Sequence, residues 1–199
     1  LLTTEASRAY FSPRSKMLVT GYPTRPELRK WSLEEANQVL GLQADMPVLL
    51  VFGGSSGARS INQALWAVLP ELLTDMQIIH ITGKLDWAEA SDRLKEVQNR
   101  LPDELKARYH PYPYLHDEMG AAFTAANLVV SRAGASALGE FPAFGLPAVL
   151  VPYPHAWRYQ QVNAEFLEKA GAARILADSE MKEKLLPTVH ELMGSQGQL

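Results

Sequence analysis

From residue 48 onward, short apolar runs alternate with longer segments of helical periodicity. The first run, Val48-Leu49-Leu50-Val51-Phe52, is apolar throughout, which is typical of a strand covered on both faces. A glycine turn follows, and then apolar residues recur at helical spacing from Ile61 to Leu72. Because the same alternation continues along the chain, it predicts right-handed βαβ crossovers and an α/β fold with a doubly wound, mostly parallel, Rossmann-like sheet.

The same patterns predict the individual elements. Ser32 is the expected N-cap of a short helix, with Glu35 as its capping-box residue and Gly41 as its end. Residues 1–30 are polar and contain three prolines, which favours a linker with at most one short strand. Further strands are predicted at 78–81, 109–114 (near an edge, because of its prolines), 128–131, 148–151 and 173–176, and helices at 33–41, 61–72, 87–101, 117–126, 135–144, 158–170 and 179–193.

Composition excludes several classes of function. The 199 residues are 47% hydrophobic and 21% charged, as in ordinary soluble domains, and no apolar run approaches the ~20 residues that span a bilayer. The absence of cysteine rules out disulfides, thiolate catalysis and cysteine-ligated zinc. With 19 basic against 22 acidic residues, no basic excess favours nucleic acid as a partner. The start at Leu1 rather than Met leads us to expect a piece of a longer chain.

The first loop with chemical potential is the glycine turn from Gly53 to Arg59. Glycines let a backbone approach a ligand closely, and the following helix presents free amides to an anion. It matches neither the Walker A pattern nor G-x-G-x-x-G. The second strand ends in Thr82-Gly83-Lys84 without the acidic residue of a dinucleotide site, which argues against a dehydrogenase. A phosphate contact and a plain tight turn both remain open here.

The second loop runs from Ser131 to Glu140 and is rich in small residues. Small side chains at the start of a helix leave room for a phosphate on the helix amides. Glu140 lies about one turn further on, where a carboxylate can accept from both hydroxyls of a ribose diol. The alternative is an exposed first-turn glutamate that only complements the helix dipole. The run of small residues favours the ligand role.

The third loop, from Pro152 to Asn163, carries a polar-aromatic cluster after a buried strand. Its Gln and Asn amides both donate and accept, which suits sugar hydroxyls and an acetamido group. His155 is a candidate base, although a structural or exposed role is commoner for a single loop histidine. Trp157 and Tyr159 are equally compatible with simple packing.

Taken together and in order, these segments resemble the MurG family of GT-B glycosyltransferases. Each match alone is weak, but the ordered set extends from residue 18 to about 176. The matching segments are Val19-Thr20-Gly21-Tyr22-Pro23-Thr24-Arg25, Gly53 to Arg59 with Asn62-Gln63, Thr82-Gly83-Lys84, Ser131 to Glu140, Phe144-Gly145-Leu146-Pro147, Val151-Pro152-Tyr153-Pro154 and Asn163-Ala164 through Glu168 to Ala173.

The resemblance implies a set of site residues for a UDP-sugar. It implies that Glu140 holds the uridine ribose, that Arg25 neutralises phosphate charge and that backbone groups near Leu115 and His116 read the uracil. The sequence departs from the family where Tyr22 replaces a frequent Asn, Ser56 a frequent Gln and Ala137 a frequent Thr. Arg158 and Tyr159 stand where the family pattern is variable. The remaining implied contacts are Ser55 in the same cleft, the amides of Gly134, Ala135, Ser136 and Ala137 at the diphosphate, and Gln160 and Gln161 at the N-acetylglucosamine.

The resemblance also implies an activity: inverting transfer of N-acetylglucosamine from UDP-N-acetylglucosamine to lipid I, which makes lipid II for peptidoglycan. Residues 1–30 would be a linker and remnant of an amino-terminal domain, and 31–199 the carboxy-terminal UDP-sugar-binding domain, one half of a GT-B fold. The acceptor lipid and catalytic base would belong to the missing half, so the isolated chain is expected to be inactive. No metal or cofactor is expected, and the full-length protein would act at the cytoplasmic face of the membrane surface.

The sequence is compatible with three other functions. Another GT-B transferase, for example one that makes glycolipids, would share the UDP site but prefer UDP-glucose. A non-hydrolysing UDP-N-acetylglucosamine 2-epimerase could place a carboxylate on the ribose in the same way. A non-catalytic nucleotide-binding module would bind without turnover even when the missing half is supplied.

Overall fold

A computed structural model describes residues 1–54, 57–155 and 159–195. The described residues form one sheet of six parallel strands, in the order β3-β2-β1-β4-β5-β6. The predicted parallel α/β fold is therefore confirmed. The strands are β1 (Val48–Phe52), β2 (Gln77–Ile81), β3 (Tyr109–Tyr112), β4 (Leu128–Ser131), β5 (Ala148–Leu150) and β6 (Ala173–Ile175).

Helices cover both faces of the sheet, and two short 3-10 helices lie before them, at Glu5–Tyr10 and Pro26–Lys30. A third 3-10 helix, Asp178–Glu180, leads into the last α-helix. The α-helices are α1 (Leu33–Leu40), α2 (Arg59–Asp75), α3 (Trp87–Arg100), α4 (Asp103–Lys106), α5 (Met119–Ala125), α6 (Ala137–Phe144), α7 (Tyr159–Lys169) and α8 (Met181–Ser195).

Alternate strand residues enter two separate cores. Along β1, Leu50 packs with α1, α5, α6 and α7 on one face, whereas Leu49 and Val51 pack with α2 and α8 on the other. All three side chains are fully buried. A strand that is apolar at every position is what this double burial requires, because successive side chains point to opposite faces.

The cap of α1 is as predicted. The Ser32 hydroxyl accepts from the Glu35 amide, the Glu35 carboxylate accepts from the Ser32 amide at 2.9 Å, and Gly41 adopts a left-handed conformation. The prediction for β3 was correct in its edge position, but the strand ends at Tyr112 rather than residue 114. Pro113 explains this, because it has no amide to continue the ladder.

The segment before residue 31 contains more structure than its composition predicts. Besides its two 3-10 helices, Leu2 and Val19 form an isolated parallel bridge. Leu28 is buried in the core beside α5. The division of the chain at residue 30 stays a prediction.

Candidate functional site

The order of the strands creates a crevice at the carboxyl ends of β1 and β4. From β1 the chain moves outward to β2 and β3 and then returns to place β4 on the other side of β1. At such a switch point the loops after the two central strands lead away from each other, and ligands bind between them. Here those loops are the glycine turn after Phe52 and the small-residue loop after Ser131.

A cavity of about 260 Å³ opens at this crevice, and we call it the Glu140 cavity. It brings together five residues that the sequence predicts as ligand contacts, from parts of the chain more than a hundred residues apart. They are Arg25, Leu115, His116, Ser136 and Glu140, and the cavity is completed by Phe52, Gly54, Ile81, Tyr114, Asp117 and Met119.

Glu140 is half-buried in this cavity, in the first turn of α6. Burial raises the pKa of its carboxyl, whereas a hydrogen bond with Ser136 and the positive charge of Arg25 act to lower it. An ionised carboxylate is purely an acceptor. A cavity that holds one beside a cation suits a ligand with paired hydroxyls and a nearby negative charge.

The start of α6 offers amides to such a charge. Within the described residues, no hydrogen-bond partner is found for the amides of Gly134, Ala135 and Ser136. The amide of Ala137 instead donates to the Gly134 carbonyl at 3.1 Å. Three of the four amides predicted at the diphosphate are thus free, at the positive end of the helix dipole.

Two close backbone contacts hold Arg25 over the cavity. Gly139 of α6 lies so near the Tyr22 carbonyl that a Cβ atom there would be 2.8 Å from the oxygen. Gly120 of α5 lies even nearer to Leu28, where a Cβ would be 2.3 Å from the carbonyl oxygen. Because glycine lacks a Cβ, the backbone on both sides of Arg25 can rest directly on the two helices.

Side-chain hydrogen bonds fasten the same segment on its carboxyl side. The Arg29 guanidinium donates to the Ala143 carbonyl at 3.1 Å, and the Trp31 indole donates to the Asp117 carbonyl at 3.2 Å. The segment that carries Arg25 is therefore fixed to the helices that bound the cavity.

A second cavity, of about 550 Å³, lies on the β5 side of the glycine turn, and we call it the Arg132 cavity. Gln160 lines it, and its Oε1 accepts from the Tyr153 amide at 2.9 Å. His155 also lines it, with its ring 5.4 Å from that of Tyr153. The other lining residues are Gly53, Gly57, Ala58, Arg59, Ser60, Arg132, Tyr153, Pro154 and Asp178.

The other predicted sugar contacts differ in outcome. Gln161 is exposed on α7, donates to the Glu165 carboxylate at 3.0 Å and lines neither cavity. Ser55 lies outside the described residues, as do Ser56, Trp157 and Arg158. Asn163 does connect α7 to the site, because its amide donates to the Ala133 carbonyl at 3.0 Å.

The Arg132 cavity also holds a charged network that the sequence patterns did not predict. The Arg132 guanidinium pairs with Asp178 at 2.5 Å and donates to the Ser60 hydroxyl at 2.8 Å, and Ser60 donates to the same carboxylate at 2.7 Å. Arg132 also donates to the Val151 carbonyl at 3.2 Å. The network joins the ends of β4 and β5 to the start of α2. A charged residue directly after a buried strand was the available signal.

Comparison with known proteins identifies the family. Residues 48–198 match the model of the glycosyltransferase family 28 C-terminal domain, which is more than half of the chain. The chain belongs to glycosyltransferase family 28. Apart from Arg25, every residue that lines the two cavities lies within the residues that match the family 28 model.

Named relatives agree with the family 28 assignment. A UDP-N-acetylglucosamine--N-acetylmuramyl-(pentapeptide) pyrophosphoryl-undecaprenol N-acetylglucosamine transferase of Roseiflexus sp. (strain RS-1) is 43% identical over 89% of this chain and 44% of its own length. The enzyme of the same name from Desulforamulus reducens is 37% identical over 100% of this chain and 54% of its own.

A solved structure gives the same result for this family 28 domain. MurG of Acinetobacter baumannii superposes with a TM-score of 0.62 and 28% identity, over 92% of this chain and 51% of that one. The chain therefore spans about half the length of the relatives it matches. In the described part of the chain, no helix is long and apolar enough to cross a membrane.

Proposed function

We propose that this chain is the donor-binding domain of an inverting hexosyltransferase that moves N-acetylglucosamine from UDP-N-acetylglucosamine to lipid I, forming lipid II for peptidoglycan. The observation that carries the proposal is the Glu140 cavity at the switch point, where a carboxylate and a cation lie together with Ser136, at the start of a helix with three free amides. The printed names of the relatives supply the sugar and the acceptor.

Each part of UDP has a chemical counterpart in this site. Glu140 would accept from both ribose hydroxyls, and backbone groups at Leu115 and His116 would face the uracil. The free amides at Gly134–Ser136 and the guanidinium of Arg25 would meet the diphosphate. The sugar would extend into the Arg132 cavity, next to Gln160.

In the proposed reaction, an acceptor hydroxyl oxygen attacks the anomeric carbon as the bond from that carbon to the diphosphate oxygen breaks. The electron pair of that bond leaves with UDP, and the acceptor proton passes to a base in the remainder of the longer protein. Negative charge grows on the diphosphate during this step, so fixed amides and Arg25 stabilise the transition state more than the ground state. The membrane surface, at its cytoplasmic face, is the proposed place of the reaction.

Calorimetric titration of this chain with nucleotides tests the proposal. We expect binding of UDP and UDP-N-acetylglucosamine, weaker binding of UDP-glucose, and no binding of ADP at the same concentration. Incubation with lipid I and donor should give no lipid II. A preference for UDP-glucose would favour a different transferase, and equal binding of ADP would refute the uracil site. Release of the manno epimer from UDP-N-acetylglucosamine would indicate an epimerase.

A further inference from the structure

A hydrogen-bond chain links side chains of α2, β2 and β3 behind the glycine turn. It starts at Trp66 on α2, whose indole donates to the Tyr109 hydroxyl at 3.2 Å. Tyr109 is 2.8 Å from Nδ1 of His80, and Nε2 of His80 is 2.9 Å from Oδ1 of Asn62. Tyr109 is buried, and His80 and Asn62 have no exposed surface at all.

The hydrogen-bond chain ends at the loop after β2. Nδ2 of Asn62 donates to the Thr82 carbonyl and to the Asp86 carboxylate, both at 2.9 Å. Both of these groups are pure acceptors, so the amide nitrogen of Asn62 has to face them and its oxygen has to face His80. Nε2 of His80 then carries the proton, and Nδ1 accepts from the Tyr109 hydroxyl. One tautomer of His80 satisfies every bond, with donors all oriented from Trp66 toward Asp86.

His80 is neutral in this hydrogen-bond chain. Burial lowers the pKa of His80 to about 3, and the two ring nitrogens face a hydroxyl and an amide rather than a carboxylate. A buried, fully satisfied polar chain specifies one arrangement of its members, because each unpaired group would carry a full desolvation penalty.

The Thr82 carbonyl that Asn62 fixes lies directly against the glycine turn. Gly57 has a φ of +82°, and a Cβ there would lie 2.3 Å from the same Thr82 carbonyl oxygen that Asn62 holds. The Gly57 amide donates to the Gly54 carbonyl at 3.0 Å, which closes the turn. Gly54 lines the Glu140 cavity and Gly57 lines the Arg132 cavity. The Thr82 carbonyl thus lies against Gly57, in a turn that contributes residues to both cavities.

We propose that Asn62 and His80 are positioning residues for nucleotide binding, which act by fixing the Thr82 carbonyl against Gly57 without touching the ligand. The inference rests on the proposed function, since it concerns the same UDP site. It assigns to the polar side chains behind β2 a role in affinity beyond a role in folding.

The first test reverses a donor at constant volume. In Asn62→Asp, a carboxylate oxygen faces the Thr82 carbonyl and Asp86, so the loop is repelled; we expect the Kd for UDP to rise at least about tenfold. In the double variant Asn62→Asp/Asp86→Asn, the new amide at position 86 donates to the new carboxylate at position 62. The Thr82 carbonyl still lacks its donor, so we expect only part of the lost affinity to return. Val189→Ala, a buried truncation in α8, is the matched control that destabilises the core without removing any member of the hydrogen-bond chain.

The second test does not require UDP. Nitrogen chemical shifts of His80 at pH 7 should show a neutral ring protonated on Nε2, and Asp86→Ala should weaken UDP binding without unfolding the core. UDP binding by Asn62→Asp that equals wild type, an equal loss in Val189→Ala, or a proton on Nδ1 of His80 would each overturn the proposal. Failure of the wild-type chain to bind UDP would instead refute the proposed function, and the tautomer would still report on the hydrogen-bond chain.

Discussion

Replacing Glu140 tests the nucleotide site most directly. In Glu140→Ala, both carboxylate oxygens that are proposed to accept from the ribose diol are removed, while α6 keeps a residue of high helix propensity. Hydrogen bonds to a charged group contribute about 1.5–3 kcal/mol, so the Kd for UDP should rise by about ten- to a hundredfold. Glu140→Gln keeps one acceptor oxygen without the charge and should lie between wild type and alanine.

The assay is titration calorimetry with UDP and with the 2′-deoxy analogue of UDP. Loss of one ribose hydroxyl should weaken binding to the wild-type protein but change little in Glu140→Ala, because the partner of that hydroxyl is already gone. Glu183→Gln removes the same charge from an exposed position on α8 and serves as the matched control. If Glu140→Ala bound UDP as well as Glu183→Gln, the ribose would lie elsewhere.

Glu140→Gln is expected to weaken UDP binding but to increase the stability of the fold. Burial raises the folded-state pKa of Glu140, so its contribution is most favourable below the unfolded-state pKa and is lost as pH rises through the folded-state value. Glu140→Gln should therefore raise the free energy of unfolding at pH 7 relative to wild type. UDP affinity should fall as acidification protonates Glu140, beginning at a higher pH than for an ordinary glutamate.

Three further substitutions test the surroundings of the site. Gly57→Ala places a side chain at a positive φ and against the Thr82 carbonyl. It should lower the free energy of unfolding, measured with denaturant, by at least about 1–2 kcal/mol. The control Gly194→Ala in α8 meets no neighbouring atom and should not lower it. Asp178→Ala leaves the guanidinium of Arg132, which is 10% exposed, without its carboxylate; we expect a loss of about 3 kcal/mol in thermal unfolding, largely recovered in Arg132→Met/Asp178→Leu. Burial lowers the pKa of His80 from 6.5 to about 3, so the folded state favours the neutral ring and its contribution to stability is complete above pH 6.5. The free energy of unfolding should decline by an amount on the order of 4 kcal/mol as the pH falls toward 3. A His80→Gln variant whose free energy of unfolding declined as steeply would contradict this.

Local patterns explain why the fold was predictable from the sequence. Leu49 and Leu50 point to different cores and both must be apolar, so a doubly covered strand leaves a continuous apolar run in the chain. The Ser32–Glu35 cap works within four residues and is visible for the same reason. Helix α4 has only four residues, which is too short for a periodic pattern, and it was not predicted.

Contacts between side chains that are distant in the sequence were harder to predict. Glu140 could be predicted from the run of small residues that opens its helix, whereas His116 was implied only by the resemblance to the MurG family. Arg132 and Asp178 are 46 positions apart, and nothing in the local sequence pairs them. Gln160 and Gln161 are adjacent, but one residue of an α-helix is a rotation of about 100°, so only Gln160 faces the cavity. Composition alone does not specify that rotation.

The contacts of Gly139 and Gly120 with residues 22–28 have a practical consequence for cutting the gene. A chain shortened to begin at residue 21 would retain every residue that lines the Glu140 cavity, whereas one that begins at residue 31 would keep all six strands but lack Arg25 and the buried Leu28. Since Gly139 and Gly120 let the backbone of residues 22–28 lie directly on α6 and α5, a bulkier residue at either position would displace this segment and Arg25 in an uncut chain. An expression boundary chosen by sheet content alone would therefore remove Arg25 from the Glu140 cavity and Leu28 from the core.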